Sequence, residues 1–307
     1  MKRMLRQPTY HTLCSCFLLL GFLSSGIPVD VSESVYQKEV SEVRLTFYAT
    51  DQRNRTVTTI SKSDLAVVDS GEVIRNIRSL QRADTAKLDI ILLIDCSESV
   101  LSRFRHEFSD ALQIISQSPW LSDDRVSVIT FCGPSPSLLG TRYAHDLLPS
   151  DRFLPVSAGG DTPLYDAIDW AGKLLENHRQ PEFRSAILLF SDGLDSASRC
   201  TPAEALNRVL QTDTQIYTID LNSKHSSSGT QILHVFAESS GGRYLRGEDG
   251  VPNLIATIID DLHSAYLLTY DLPNRKPGYH QVRLLPTHDR NLRFRCRQGY
   301  FFGDGIG

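Results

Sequence analysis

The sequence lacks any apolar run long enough to cross a membrane, and it lacks an excess of basic residues. The longest such run, from Leu13 to Leu23, falls short of the about 20 apolar residues that a bilayer requires. Lys and Arg together number 32 against 36 Asp and Glu, which gives a formal net charge of −4. Proteins that bind nucleic acid present excess positive charge to phosphates. We therefore expect neither a transmembrane segment in the mature chain nor a nucleic-acid partner.

The templates of the common enzyme classes are missing as well. The sequence contains no G-x-S-x-G elbow, no P-loop and no G-x-G-x-x-G, and its 9 histidines show no H-x-x-x-H or H-E-x-x-H spacing. These absences disfavour the usual hydrolase, nucleotide-binding and zinc-hydrolase chemistry. We interpret the chain as a non-enzymatic protein and keep metal-assisted hydrolysis as a less favoured alternative.

A basic head precedes the apolar run, and small residues follow it. Lys2, Arg3 and Arg6 come first, and residues 24–26 are Ser, Ser and Gly. A basic head, a short apolar run and a small-residue exit are the three parts of a secretory signal peptide. The pattern predicts a signal peptide over residues 1–26 and a mature chain that is secreted or periplasmic.

Cysteines are few: the chain has 6, two of them inside the apolar run. The other four are Cys96, Cys132, Cys200 and Cys296, and their spacing lacks the paired C-x-x-C pattern of a zinc site. Export permits disulfides, so the pattern leaves open either isolated core cysteines or one bridge. Cys132 ends a predicted strand and Cys200 follows Asp192 in a loop, so Cys132–Cys200 is the pairing we consider.

Four apolar, branched runs in the middle of the chain are typical of strands covered on both faces. They are Leu88–Ile94, Val126–Phe131, Ala186–Phe190 and Ile216–Ile219. Segments with helical period lie between them, such as Leu164–Leu175. Strands that alternate with helices predict an α/β fold with a doubly wound, mostly parallel, Rossmann-like sheet over residues 87–264.

The segments on either side of this block show strand patterns without helices between them. Val43–Tyr48 alternates apolar and polar residues, and Tyr266–Tyr270 resumes a strand pattern after the block. Each flank alone has too few strands to bury a face. We therefore predict that residues 39–86 and 265–302 are two halves of one smaller antiparallel β-domain, with the α/β block inserted between them.

The predicted tail strand carries Arg293, Arg295 and Arg297 on one face. Charged side chains on an edge strand usually face solvent and protect the edge from pairing with another chain. We interpret these arginines as such a face and disfavour a docking patch for an acidic partner.

Oxygen-bearing side chains gather where strands of the α/β block end. Asp95, Ser97 and Ser99 directly follow the first strand, Thr162 precedes a helix, and Asp192 follows a later strand. Doubly wound sheets bind ligands beyond the carboxyl ends of their strands. Two carboxylates and three hydroxyls suit a hard divalent cation, Mg²⁺ first, with Mn²⁺ or Ca²⁺ as alternatives. A coordination position left open can then take a carboxylate from a partner.

The order and spacing of these motifs resemble those of the von Willebrand factor type A domain and its metal-ion-dependent adhesion site. The resemblance covers the block at 87–264 and includes the Thr-x-Leu-Tyr-Asp-Ala phrase that begins at Thr162. It implies that Ser97 and Ser99 bind the ion directly, while Thr162 and the two acids bind it directly or through water. The tail, at Tyr266–Tyr270 and Arg297–Tyr300, is also similar to that of exported acidobacterial proteins that carry such a domain.

Four further acids lie near these motifs. Glu98 stands where the family commonly has Gly, and Asp161 lies directly before the Thr. Their charge would tighten cation binding or compete with a partner's carboxylate. Asp166 and Asp195 are considered as support for the ligands, but Asp166 also suits the positive end of a helix dipole and Asp195 a solvated loop.

These inferences together predict an exported binding or adhesion protein. It would recognise a protein partner, through that partner's Asp or Glu, at a divalent-metal-dependent adhesion site. A structural or assembly scaffold with metal-independent contacts is the alternative from another class.

Overall fold

The computed structural model describes residues 42–100, 113, 115–116, 123–146, 159–222, 228–247, 250–288 and 291–303. The predicted signal peptide lies outside these residues. Over the same ranges, none of the helices combines the length and the apolar character needed to cross a membrane.

The described elements are strands on both flanks and alternating strands and helices between them. The strands are β1 (Glu42–Thr50), β2 (Leu65–Asp69), β3 (Glu72–Ile74), β4 (Ile77–Arg82), β5 (Lys87–Asp95), β6 (Arg125–Phe131), β7 (Ser137–Tyr143), β8 (Phe183–Ser191), β9 (Gln215–Asp220), β10 (Tyr244–Arg246), β11 (Tyr266–Asp271), β12 (Gly278–Pro286), β13 (Arg293–Cys296) and β14 (Gly299–Phe302). The helices are α1 (Leu164–Asn177), α2 (Pro202–Gln211), α3 (Ser228–Ser240) and α4 (Val251–His263).

The central sheet has six strands in the order β10-β9-β8-β5-β6-β7. All neighbours pair in parallel except β7, which is antiparallel to β6 at one edge. Numbered within the block, this is the order 3-2-1-4-5-6 of doubly wound sheets. The predicted α/β fold is confirmed, and its topological switch point lies between β5 and β8.

The first strand of the block, β5, explains why the sheet is buried on both faces. Leu88, Ile90, Leu92 and Ile94 belong to one apolar core, and Ile91 and Leu93 belong to the other. Burying one such side chain contributes about 1.5–3 kcal/mol. Helix α4 packs into the first core, whereas α1, α2 and α3 pack into the second.

The flanking strands form two antiparallel sheets of four strands each, in the orders β13-β1-β11-β4 and β14-β12-β2-β3. Each sheet therefore contains strands from both ends of the described chain. A third apolar core lies among them and includes Leu45, Phe47, Val67, Leu268 and Tyr270, all of them fully buried.

The prediction that the three arginines near the end of the chain face solvent was wrong for Arg295, in β13, and for Arg297, which directly follows it. The Arg295 guanidinium pairs with Asp261 at 2.5 Å and stacks on the ring of Tyr48. Arg297 is buried, lies 3.3 Å from Asp213, and donates to the Leu210 carbonyl at 3.0 Å. The two arginines join the β-strands to the helices and loops of the α/β block, because acids and carbonyls of the block supply the partners that water would otherwise provide. Only Arg293, among the three, is exposed.

Loss of the buried guanidinium should destabilise the whole unit. We expect Arg297→Ala to lower the free energy of unfolding by about 3 kcal/mol, because it leaves Asp213 without its charged partner and removes the guanidinium donor from the carbonyl oxygens of Leu210 and Arg44. Arg293→Ala, at the exposed start of β13, should change it by less than about 0.5 kcal/mol. Urea unfolding followed by circular dichroism measures both, and equal effects would contradict the structural role of Arg297.

Candidate metal centre

The two acids of the predicted site lie at the ends of neighbouring parallel strands. Asp95 is the last residue of β5, and Asp192 directly follows β8. The strand register sets Ile94 beside Phe190, so Asp95 lies level with Ser191. The Ser191 hydroxyl donates to Asp95 Oδ2 at 2.7 Å. The site is therefore at the switch point of the sheet, where such folds bind ligands.

The loop after β5 folds back on its own aspartate. The Ser97 amide donates to Asp95 Oδ1 at 2.9 Å, and the hydroxyl oxygens of Ser97 and Ser99 lie 3.2 Å apart. Asp95 and Ser97 are buried, whereas Glu98 and Ser99 are exposed. The loop thus presents one carboxylate and two hydroxyls together, with Ser99 at the side that solvent reaches.

Backbone hydrogen bonds hold the Thr162 segment against both neighbouring loops. The Gly159 amide donates to the Cys96 carbonyl at 2.8 Å, and the Gly133 amide donates to the Asp161 carbonyl at 2.7 Å. On its other side, Thr162 donates its amide to Ser196 Oγ at 2.9 Å. These bonds fix the main chain of Thr162, which is buried, between the loop after β5 and the loop after β8.

The loop after β8 depends on a glycine that no other residue could replace. Gly193 has φ +76°, and a Cβ built there would lie 2.2 Å from the Gly229 carbonyl oxygen. Its amide donates to Ser191 Oγ at 2.9 Å, and the Leu194 amide donates to Asp192 Oδ1 at 3.0 Å. This turn holds Asp192, which is buried, at the end of β8.

The four further acids divide into two kinds. Glu98 and Asp161 are exposed. Asp166 accepts from the Cys200 amide at 2.9 Å, and Asp195 accepts from the Leu164 amide at 2.9 Å, where α1 begins. Asp166 and Asp195 therefore join the loop after β8 to the start of α1, since both carboxylates accept hydrogen bonds from backbone amides.

Sequence reasoning missed three polar residues that shape the site. Ser191 bonds Asp95, and Ser196 accepts from the Thr162 amide. Asn222 donates to the Asp192 carbonyl at 2.7 Å. Ser191 could have been noticed, because it is a polar residue at the end of an otherwise apolar strand. Ser196 and Asn222 lie in loops, where the spacing of residues along the chain predicts no contact.

Burial, helped by the nearby charge of Asp192, raises the pKa of Asp95 to about 6, although hydrogen bonds from Ser97 and Ser191 act to lower it. Among the residues that the structure describes, no Lys or Arg forms an ion pair with either acid. Two buried carboxyl groups without a basic partner in these ranges favour a bound cation.

The donor set fits a hard cation only if hydroxyls take part. Within the described ranges, no group of three or more His, Cys, Asp or Glu side chains is arranged to hold a metal ion. Asp95 and Asp192 would supply two ligand groups, and Ser97, Ser99 and Thr162 the rest. An all-oxygen set of this kind suits Mg²⁺, Mn²⁺ or Ca²⁺ and does not suit metals that prefer sulfur.

The disulfide differs from the pairing we considered. Cys132 bonds Cys96, not Cys200, and the two Cα atoms lie 5.2 Å apart. Cys96 and Cys132 follow neighbouring strands and pack at one face of the sheet, whereas Cys200 packs at the other face. Cys200 and Cys296 are free. Burial and the hydrogen bond that the Cys200 thiol donates to the Asp166 carboxylate raise the pKa of that thiol to about 12.

Solved structures that are similar to this chain include proteins with von Willebrand factor type A domains. A zinc-occupied proximal thread matrix protein 1 from mussel byssus is 15% identical over 64% of this chain and 50% of that chain, with a TM-score of 0.47. The manganese-loaded TRAP protein of Plasmodium vivax is 16% identical over 77% of this chain and 99% of that chain, with a TM-score of 0.46. A von Willebrand factor type A protein from Catenulispora acidiphila is 11% identical over 88% and 76%, at 0.46.

The chain spans about half the length of the mussel protein. No family model and no curated protein matches the sequence. The resemblance to exported acidobacterial proteins stays a prediction.

The raised pKa of Asp95 predicts how the metal-free protein responds to pH. The folded state keeps the Asp95 proton up to about pH 6, whereas the unfolded chain loses it near the ordinary value of 3.8. The stability that Asp95 contributes is therefore full below about pH 4 and is lost as the pH rises through 6. Relative to Asp95→Asn, which cannot ionise, the wild type should lose about 3 kcal/mol between pH 4 and pH 7.

The measurement is urea unfolding of both proteins, stripped of metal, across that pH range. Taking the difference between the two cancels the titration of the other carboxyl groups. A difference that stays constant with pH would show that Asp95 titrates normally and is not held in a buried, acidic pocket.

Proposed function

We propose that this chain is an exported binding or adhesion protein that recognises the Asp or Glu side chain of a protein partner through a bound divalent cation. The residues that would bind the cation are Asp95, Ser97, Ser99, Thr162 and Asp192. Mg²⁺ is the first choice of ion, with Mn²⁺ or Ca²⁺ as alternatives. The observation that carries the proposal is that two buried carboxyl groups and the two segments bearing the three hydroxyls meet at the switch point of the sheet.

The chemistry of recognition follows from the charges. A divalent cation supplies positive charge and, with few protein carboxylates around it, an open coordination position for one more oxygen ligand. Asp95 and Asp192 offset part of the ion's charge, and the hydroxyls add ligands without adding negative charge. A carboxylate from a partner completes the neutralisation, so an acidic residue is the group that such a site selects.

The surroundings of the site support access by another protein. Ser99 is exposed at the rim. Leu194, two residues beyond Asp192, is 45% exposed, which places an apolar side chain beside the polar centre. Protein interfaces bury apolar side chains at their core together with hydrogen bonds, so an exposed leucine here suits contact with another protein. Glu98 and Asp161, also exposed, would repel a partner that carries more than one acidic residue near the contact.

The disulfide supports the proposed location outside the cytosol. Cys96 and Cys132 are bonded to each other in the folded chain. Disulfides persist in oxidising compartments such as the periplasm and the extracellular space and are rare in the cytosol. The bond therefore agrees with a secreted or periplasmic protein.

Metal binding is tested with the metal alone. We expect titration calorimetry with Mn²⁺ or Mg²⁺ to give one site on the wild type, and Asp95→Ala or Asp192→Ala to weaken it at least about 100-fold, since each removes a charged ligand. Glu72→Ala removes an exposed acid from β3, outside the site, and is the control. Equal heats for wild type and Asp95→Ala would sink the proposal.

Partner recognition is tested by capture from the native host's extract on immobilised protein, with Mg²⁺ or with EDTA. The proposal predicts that bound partners are released by EDTA and are not captured by Asp95→Ala. A partner set that is unchanged by the chelator would instead support a scaffold with metal-independent contacts. Turnover of an ester or phosphate substrate that Asp192→Ala abolishes would support the hydrolytic alternative.

A further inference from the structure

The disulfide lies inside the ligand segment itself. Cys96 stands between Asp95 and Ser97, and Cys132 directly follows the last residue of β6. In the parallel ladder, Asp95 is level with Phe131, and the Cys96 amide donates to the Phe131 carbonyl at 3.3 Å. The covalent bond therefore joins β5 and β6 one residue beyond the ladder, where the loops of the site begin.

The same bond also bears on the Thr162 segment. The carbonyl of Cys96 accepts from the Gly159 amide at 2.8 Å, and Gly133, next to Cys132, donates to the Asp161 carbonyl at 2.7 Å. Each bonded cysteine, or the residue beside it, thus holds one end of the stretch that leads into Thr162. One cross-link ties together two of the three segments that would supply ligands.

The sulfur atoms themselves take no part in the donor set. Cys96 is fully buried and packs with Ile94 and Val100 in the core at one face of the sheet. A bonded cysteine has no thiolate to offer a metal. Any influence of the disulfide on the metal is therefore exerted through the main chain.

We propose that the Cys96–Cys132 disulfide is a positioning element for the metal centre, which holds the 95–99 loop and the 159–162 segment at ligand spacing before the cation binds. This inference rests on the proposed metal site. Serine and threonine hydroxyls are neutral, weak ligands, so their contribution depends on being held in place rather than on charge. A site ordered in advance binds more tightly because less conformational entropy is lost when the ion enters.

A purely structural role makes a different prediction. A disulfide that only stabilises the fold changes the unfolding transition but leaves the affinity of the folded chain for metal unchanged. A positioning role lowers that affinity when the bond is absent, even though the chain is folded. Loss of groups that orient metal ligands typically costs 10- to 100-fold in affinity.

The first experiment compares three proteins by calorimetry with Mn²⁺, after circular dichroism has established that each is folded. We expect Cys96→Ala/Cys132→Ala to bind Mn²⁺ about tenfold or more weakly than the wild type. Cys200→Ala, which removes a free thiol from the other face of the sheet, should bind as the wild type does. Affinities of the double variant and the wild type within twofold of each other would overturn the proposal.

A second experiment needs only the wild type. In equilibrium with dithiothreitol and its cyclic disulfide, the protein disulfide accepts two electrons and two protons to give two thiols, while the dithiol closes its ring. By linkage, if the bond strengthens Mn²⁺ binding tenfold, saturating Mn²⁺ must raise tenfold the ratio of dithiol to cyclic disulfide needed for half reduction. Quantified thiols report this ratio, and identical ratios with and without Mn²⁺ would overturn the proposal.

The outcomes separate the two proposals. If the oxidised wild type binds no metal, the metal site fails and this inference fails with it. If the wild type binds metal, Asp95→Ala does not, and the disulfide changes nothing, only the positioning role fails. If the reduced chain loses its fold, the bond acts on the whole domain and the positioning role is likewise overturned.

Discussion

The buried carboxyl groups of Asp95 and Asp192 are the constraint on which the rest of the site depends. Both lie at the ends of neighbouring parallel strands, and no Lys or Arg of the described ranges pairs with either. Burial raises the pKa of Asp95 to about 6, so the ionised carboxylate lowers the stability of the metal-free fold at neutral pH. A bound cation would remove that cost, and this links the stability of the fold to the proposed metal chemistry.

The hydrogen bonds around these two acids hold their side chains and the neighbouring loops in fixed positions. The Ser191 hydroxyl and the Ser97 amide donate hydrogen bonds to the Asp95 carboxylate. The Gly193 amide bonds Ser191, and Asn222 bonds the Asp192 carbonyl, so these two residues hold the turn after β8 in place. The remaining bonds link loop to loop, so the segments that carry the hydroxyls are held by main-chain atoms. Rigid loops of this kind are what weak neutral ligands require.

The parts predictable from sequence are those with a local signal. The apolar run of β5 is buried on both faces and ends in Asp95, so the strand, its burial and the position of Asp95 at its end were all predictable from the sequence. The edge strand β7 (Ser137–Tyr143) has no apolar run and was missed. The bond of Cys132 to Cys96, and the burial of Arg295 and Arg297, depend on which strands become neighbours and on what packs above β13. Spacing along the chain does not encode those contacts, because they are made across the fold.

The proposed metal site is tested most directly by a crystal structure of the chain grown with Mn²⁺, with anomalous scattering recorded at the manganese edge. A metal site at the switch point predicts one strong anomalous peak within coordination distance of the hydroxyls of Ser97 and Ser99, with Asp95, Thr162 and Asp192 around it. It also predicts that the peak disappears in Asp95→Ala crystals. A fully ordered site without a peak, at Mn²⁺ concentrations that saturate calorimetry, would contradict the central claim, as would a single peak elsewhere on the molecule.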